Sequence, residues 1–374
     1  MRRGRFVDGV APRGDLTLPL RGCPSPKNNL GEGPGLASLA ATSIVWLRSP
    51  RLGVQHVALS TSHPAPSTRF FLSRFYAIVN PTAGRGAARR AWAVVRPILE
   101  GGGAEVEMAE STRHGHAAEL AEAAARAGWP AVVALGGDGT VHEVANGILR
   151  ASAGHAESVA ALGVVPVGSG NDFALLAKLS RDPAEAARRL LGSERRVDVG
   201  RVRVGGAGER WFTNGVGVGL DARVAVEANR NRRFRGIAIY LWALARVLRS
   251  FQPPVVRVET DDGEVMERPL TLVTVGNGGR HGGGFWICPD AVIDDGLLDV
   301  CVCDGLSTLQ ILRFLPKTIR GTHVGASCVH MRRVRRVRIT SAAPLAVHAD
   351  GEIVSEDARE LEMEIAPGRL RLLG

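Results

Sequence analysis

A single carboxylate set among glycines, Gly136-Gly137-Asp138-Gly139 followed by Thr140, is the stretch of this chain best equipped for chemistry. A short apolar run, Ala131 to Leu135, precedes it. After it Val141, Val144, Ala145, Ile148 and Leu149 recur at the spacing of one helix face, so the stretch reads as strand, glycine turn, helix. Glycines permit positive φ and let a ligand approach the backbone, and a new helix offers unpaired N–H groups and partial positive charge, which together suit an anion such as phosphate. Asp138 would repel that phosphate unless a cation such as Mg²⁺ lay between them, which points to a metal nucleotide. The same residues also make an ordinary tight turn, and this stretch alone does not separate the two readings.

The elements that would position this turn follow one pattern. Phe75 to Val79 reads as a buried strand running into Asn80-Pro81-Thr82-Ala83-Gly84-Arg85-Gly86, with a helix over 87–99, a strand over 104–108 and a helix over 116–127 before the glycine turn. Leu162 to Val167 is a further strand, ending in Gly168-Ser169-Gly170-Asn171-Asp172 ahead of a helix from Phe173. Such alternation predicts a parallel sheet with right-handed crossovers. Loops at the carboxyl ends of its strands share one edge, so 80–84, 136–140 and 168–172 are expected to converge on one phosphate chain.

Beyond Val197-Asp198-Val199-Gly200 the texture changes to short alternating segments at 202–204, 210–214, 255–259, 270–275, 297–303, 335–339, 345–348 and 361–365. These predict an antiparallel sandwich. A single helix is expected over 220–248, with Asp221 near its start and Arg230, Arg232, Arg233 and Arg235 in its middle. Those arginines read either as a solvated face or as a patch meeting phosphate headgroups beside the apolar stretch 237–248.

Composition bounds the alternatives. At 374 residues and 45% hydrophobic content the chain has room for two domains with sizeable cores. Met1 to Arg74 holds ten Lys/Arg against three Asp/Glu, so seven of the ten net positive charges fall there and the body is close to neutral. Residues 1–70, rich in Arg, Pro, Gly and Ser, are expected to be a disordered basic extension. An uncharged stretch within it, Gly35 to Leu47, is too short to span a bilayer. Five cysteines without a CxxC pair indicate neither a disulfide framework nor a zinc site, which fits a reducing cytoplasm. His114, His116 and His142 lack a third partner at metal-binding spacing. No nucleic-acid partner is expected, since no aromatic platform accompanies the basic arm.

With Asn80-Pro81-x-x-Gly84, Gly136 to Thr140 and Gly168-x-Gly170-Asn171-Asp172-Phe173, the chain resembles the diacylglycerol kinase catalytic-domain family, which includes bacterial lipid kinases and the sphingosine and ceramide kinases. Phe212 to Asp221, Asn277 to Phe285, Pro289 to Val300 and Asp350-Gly351-Glu352 agree in order. The resemblance, which runs from about Phe75 to the C-terminus, implies an α/β + β fold. A Rossmann-like α/β ATP-binding domain would occupy 71–197 and an antiparallel β-sandwich lipid-substrate domain 198–365, with the ligand cleft between them and residues 366–374 returning to the first domain. The implied activity is ATP-dependent, Mg²⁺-assisted transfer of a γ-phosphate to a hydroxyl of diacylglycerol or a similar lipid.

The resemblance also implies roles for residues. Asn80, Pro81, Thr82, Ala83 and Gly84, Thr112, Gly136 to Glu143 (Gly137, Asp138, Gly139 and Thr140 included) and Ser169 match nucleotide-binding positions. Arg85 stands where such kinases place a basic residue near the phosphates, Asn171, Asp172 and Asp198 match polar cleft positions, and Asp138 would organise Mg²⁺. Glu352 is the expected proton acceptor, with Asp350 either orienting it or holding Mg²⁺; without the resemblance the three residues 350–352 read as a hairpin turn. Asp295, with the carbonyls of Val292 and Leu297, forms a hard-oxygen set suited to a structural Mg²⁺, or else a solvated turn. Leu175 replaces an arginine of some relatives, a contact that Lys178 could supply. A cytoplasmic enzyme peripherally associated with a membrane that carries its lipid substrate follows, and an edge strand of the sandwich leaves a homodimer open. The competing readings are a kinase of a soluble alcohol such as NAD and a non-catalytic anion- or nucleic-acid-binding protein.

Overall fold

The computed structural model describes residues 74–206, 208–230 and 237–374. The basic extension over 1–70 and Arg232, Arg233 and Arg235 of the arginine run lie outside the described residues.

The first half alternates as expected: β1 (Arg74–Val79), α1 (Ala87–Gly101), β2 (Glu105–Glu110), α2 (His116–Arg126), β3 (Ala131–Gly136), α3 (Asp138–Ala151), β4 (Ala161–Pro166), α4 (Asp172–Leu176) and α5 (Pro183–Leu190). The strands pair in parallel in the order β2-β1-β3-β4. Every residue of β3 and β4 is buried, because α2 and α3 cover one face of the sheet and α1 and α5 the other. α5 lies in a stretch where no helix was expected; Asp182 caps it, its side chain accepting from the Glu185 N–H at 2.8 Å, and Pro183 opens its first turn.

The second half comprises β5 (Glu194–Val204), β6 (Gly208–Phe212), β7 (Gly215–Gly219), α6 (Leu220–Arg230), α7 (Ile237–Leu248), β8 (Val255–Thr260), β9 (Val265–Gly276), β10 (Arg280–His281), β11 (Phe285–Trp286), β12 (Leu298–Asp304), α8 (Thr308–Arg320), β13 (Val329–Val334), β14 (Arg336–Ala349) and β15 (Glu352–Leu373). It is the expected antiparallel sandwich. The long strands β9 and β14 each pair with β7 at one end and β8 at the other, closing around a core of valines and leucines. The single helix expected over 220–248 is instead two, α6 and α7, which pack side by side and share a Glu227–Arg246 ion pair. β7 was not anticipated because its alternation is Gly-Val-Gly-Val-Gly. A Cβ at Gly217 would collide with Asp221 and His348, and one at Gly215 with His281, so small residues are what let those polar groups crowd the strand.

The two halves are sewn together by β15. It leaves the sandwich, bulges at residues 366–370, and reaches β4, where Leu372 pairs in parallel with Leu162. Asp198 fixes this crossing: its buried carboxylate accepts from the Gly368 N–H at 2.6 Å and the Gly296 N–H at 2.7 Å. Expected among the cleft residues, Asp198 therefore serves the junction of the halves. Among the described residues no helix is long and apolar enough to cross a membrane.

Candidate active site

The three loops at the carboxyl ends of β1, β3 and β4 meet across a cleft of about 1140 Å³. Asn80, Pro81, Thr82, Ala83, Gly84, Thr112, Gly137, Asp138, Gly139, Thr140, Glu143, Ser169, Asp172, Asp350 and Glu352 all line it. The cleft lining does not include Gly136, Arg85, Asn171, Val292, Asp295 or Leu297.

The glycine turn is tighter than the sequence suggested. β3 runs to Gly136 and α3 starts at Asp138, so one residue, Gly137, makes the connection. None of its glycines has positive φ. What requires them is proximity: a Cβ at Gly136 would strike Thr140, one at Gly168 would strike the Gly137 backbone, and one at Gly139 would sit 3.1 Å from Glu352 Oε1. Positive φ is needed instead at Gly84 (55°), where a Cβ would also collide with the Val167 carbonyl. Asn80 ties its loop to the turn, donating to Thr140 Oγ1 at 3.0 Å and accepting from the Thr82 N–H at 3.1 Å. Arg85 is exposed, whereas Arg89, four residues on, lines the cleft and grips Glu110 at 2.6 Å.

Two nucleotide-site expectations turn out to be supports for the site. Asn171, with φ 53°, closes its own loop by accepting from the Gly168 N–H at 3.0 Å and donating to the Gly168 carbonyl at 2.8 Å. Glu143 caps α2 from outside the helix: its carboxylate accepts from the N–H groups of Gly115 at 2.8 Å and Ala117 at 3.0 Å, fixing the 112–117 loop that carries Thr112 and His114.

Asp138 and Asp172 face the same corner. Burial pushes both carboxyls above the usual carboxylate range; backbone N–H groups at the start of α4 pull Asp138 partly back, and the charge of Asp138 adds to the rise at Asp172. Asp172 Oδ2 accepts from the Gly283 N–H at 2.7 Å, while its buried Oδ1 has no hydrogen-bond partner, the Arg280 guanidinium standing 3.3 Å away without bonding alignment. An orphaned carboxylate oxygen beside a second buried carboxyl is a hard-oxygen pair that a divalent cation fits, its remaining ligands coming from phosphate and water. Arg280, from the sandwich, is the cation next to Asp172; Lys178 is not a cleft residue, and Leu175 is exposed.

Asp350 is fully engaged. Its Oδ2 accepts from the Thr213 N–H (2.8 Å), the Thr213 hydroxyl (3.0 Å) and His142 Nδ1 (2.9 Å), and its Oδ1 from the N–H groups of Asn214 (2.8 Å) and Gly215 (2.9 Å). Burial alone would raise this carboxyl, but the His142 bond and the backbone donors outweigh it and hold it below the ordinary value. His142 lies on α3 and Thr213 in the sandwich half, so the network also joins the two halves. It presents the next turn, in which Glu352 faces Gly139 with His114 Nε2 3.6 Å from its Oε2.

Behind the cleft lies a second, apolar cavity of about 240 Å³ between α6, α7, α8 and the sandwich, lined by residues such as Leu220, Val224, Leu244, Cys301 and Phe314. Burial pushes the Cys301 thiol up to about 12, so it acts here as an apolar wall. His281, Gly282, Phe285, Ile319, His348 and Gly351 line both cavities and so form their common wall. Polar groups gather there: His348 Nε2 is 3.5 Å from Asp221 Oδ2, and His281, its Nε2 unpartnered, is lowered to about 4 by burial and the neighbouring His348. Arg89, Arg280, His281 and the Gly282–Gly284 loop carried no assigned part in the sequence reading, although Asn277 to Phe285 stood out as a motif.

Asp295 sits away from this site. Its Oδ1 accepts from the Leu297 N–H at 3.0 Å and its Oδ2 is paired with Arg333, so the carboxylate expected to hold a structural cation is taken by a guanidinium. Among the described residues no group of three or more His, Cys, Asp and Glu side chains is placed to hold a metal by itself.

Comparison with known proteins agrees with this layout. Residues 74–202 match the diacylglycerol kinase catalytic domain and residues 214–374 the YegS C-terminal NAD kinase beta sandwich-like domain. A diacylglycerol kinase of Mycobacterium tuberculosis (strain ATCC 25618 / H37Rv) is 32% identical over 308 residues, spanning 82% of this chain and 96% of that relative. A diacylglycerol kinase of Bacillus subtilis (strain 168) is 29% identical over 289 residues, spanning 75% and 90%. A crystal structure of a candidate diacylglycerol kinase from Bacillus anthracis str. Sterne superposes with a TM-score of 0.65 at 26% identity, covering 80% of this chain and 97% of that one.

Proposed function

The chain belongs to the diacylglycerol kinase catalytic-domain family, and on that premise we propose that its cleft transfers the γ-phosphate of ATP to a hydroxyl of diacylglycerol or a similar lipid. It is a phosphotransferase with an alcohol acceptor, a lipid kinase. The observation that carries the acceptor class is the wall shared by the polar cleft and the apolar cavity. A lipid whose hydroxyl reaches the cleft while its chain fills the cavity uses both spaces. A soluble dinucleotide would leave the apolar one without purpose.

The phosphates lie against the N–H groups opening α3, beside the 80–84 and 168–170 loops. Asp138 and Asp172 would hold a divalent cation, which would neutralise phosphate charge. Glu352 is the base: as the lipid oxygen bonds to the γ-phosphorus, its carboxylate takes the hydroxyl proton, and the bond to the bridging oxygen breaks with its electrons leaving on ADP. Asp350 does not compete for the cation; with five donors satisfied, it positions the turn bearing Glu352. A structural cation at Asp295 does not fit while Arg333 occupies that carboxylate, and no step depends on it.

The test is transfer of radiolabelled phosphate from ATP to a panel of diacylglycerol, monoacylglycerol, sphingosine, ceramide and undecaprenol in detergent micelles, with NAD as the soluble acceptor. Labelled lipid is expected; labelled NAD with no labelled lipid would overturn the proposal. Two variants refine it. Gly168→Ala forces the β3 and β4 loops apart and should reduce kcat/KM by up to about 10²-fold, because a displacement of about 1 Å near reacting groups can cost that much. Val224→Trp fills the apolar cavity and should raise KM for long-chain diacylglycerol while leaving KM for ATP unchanged.

A further inference from the structure

Helix α8 is covered differently from the other long helices. Of its thirteen residues only Ile311 is buried, while Leu309, Leu312 and Ile319 are 59%, 49% and 44% exposed. At about 100° per residue, Leu309, Leu312, Pro316 and Ile319 form one outward stripe, with Arg313, Lys317 and Arg320 forming the stripe beside it. Segment 305–328 contains no Asp or Glu. None of those three cations has an acidic partner among the described residues, whereas arginines elsewhere are commonly paired, as Arg257 is with Glu259 and Arg338 with Glu360. Large aliphatic side chains left in water beside unneutralised cations match one partner better than any other: a surface with anionic headgroups over hydrocarbon.

The helix also lies at the mouth of the apolar cavity. Ile311, Phe314, Leu315, Thr318 and Ile319 line that cavity from α8, opposite Leu241 of α7, itself 51% exposed. Leu241 and Ile319 both line the cavity and are both exposed, and Ile319 belongs to the apolar stripe, so the cavity opens beside that stripe. We infer that the outer face of α8, with Leu241, is the surface by which the enzyme rests on an anionic phospholipid bilayer, so that a lipid chain enters the cavity from the membrane without crossing water. The inference rests on the lipid-kinase reading and adds the surface that reading lacks.

The experiment is co-sedimentation of the full-length protein with vesicles of phosphatidylglycerol and phosphatidylcholine, and with phosphatidylcholine alone, for the parent and for L309S/L312S and R313Q/K317Q/R320Q. None of these five residues lines the cleft or the cavity. Diacylglycerol phosphorylation in detergent micelles is measured alongside. At roughly fivefold per charge near an anionic surface, the triple variant should bind anionic vesicles about a hundredfold more weakly. The double leucine variant should lose at least about tenfold, and both should keep parental turnover in micelles. Parental binding by both variants would overturn the assignment and place adhesion elsewhere, for instance on the basic residues of 1–70. A parent that sediments as a dimer which these substitutions split, with vesicle binding unchanged, would assign the face to a second copy and likewise overturn it. Absence of lipid phosphorylation by the parent in micelles would instead sink the kinase reading, since the vesicle measurement does not depend on turnover.

Discussion

Glu352→Gln lowers kcat for lipid phosphorylation by about 10² to 10⁴-fold, the usual contribution of a positioned general base, and leaves the KM for ATP and the melting temperature at parental values. The amide keeps the shape of the side chain and removes its capacity to take a proton. Stability is spared because the Glu352 side chain is partly exposed and the amide keeps its shape. Its neighbour His114 stands 3.6 Å away on a surface loop. His114→Ala should accordingly reduce turnover far less than Glu352→Gln. Parental turnover in Glu352→Gln would show that the proton leaves by another route, and Asp138→Asn, which alters the proposed cation ligand instead, would then be the variant to compare.

Asp350→Ala acts on a different quantity. It strips one acceptor from five donors at once, including His142 from α3 and Thr213 from the sandwich. Breaking a buried charged network by deleting one partner costs about 3–5 kcal/mol, enough to remove much of the roughly 5–15 kcal/mol that holds a typical protein folded. The pH dependence has a definite sign. The folded state holds this carboxyl below its ordinary value, so the stability it adds is present above about pH 4, the unfolded carboxylate value, and is lost as pH falls through the folded value. Urea unfolding from pH 7 to pH 3 should show the parent losing stability across that range more steeply than Asp350→Asn. A cost under about 1 kcal/mol for the alanine variant would mean that the network does not bind the halves together.

Much of this was legible before any coordinates, and the reason is local. Phosphate loops are built from glycine, asparagine and aspartate at fixed offsets from strand ends, so residues 80–84, 136–140 and 168–172 declare their place on one sheet edge, although not their φ angles. The parts that stayed hidden depend on contacts between distant segments. Gly283 meets Asp172 across 111 residues and His142 meets Asp350 across 208; no spacing rule connects them. Asn171 and Glu143 bear the residue types of ligand contacts, yet spend their polar atoms on a turn and on a helix start. β7 escaped because glycine takes the place of the polar half of its alternation. The apolar cavity is lined by ordinary leucines, valines and cysteines whose common purpose appears only when α6, α7 and α8 come together.

The path of β15 has a bearing on how the protein is made. The nucleotide-binding half is translated first, but the strand beside β4 comes from residues near 372. While the ribosome is still working, that half presents β4 as an open edge, with its unpaired backbone groups available to any other extended chain. Only when the residues near 372 have left the exit tunnel and threaded back past Asp198 is the edge sealed. Deletion of residues 370–374 should therefore harm the yield of soluble protein more than an equal change at residue 74.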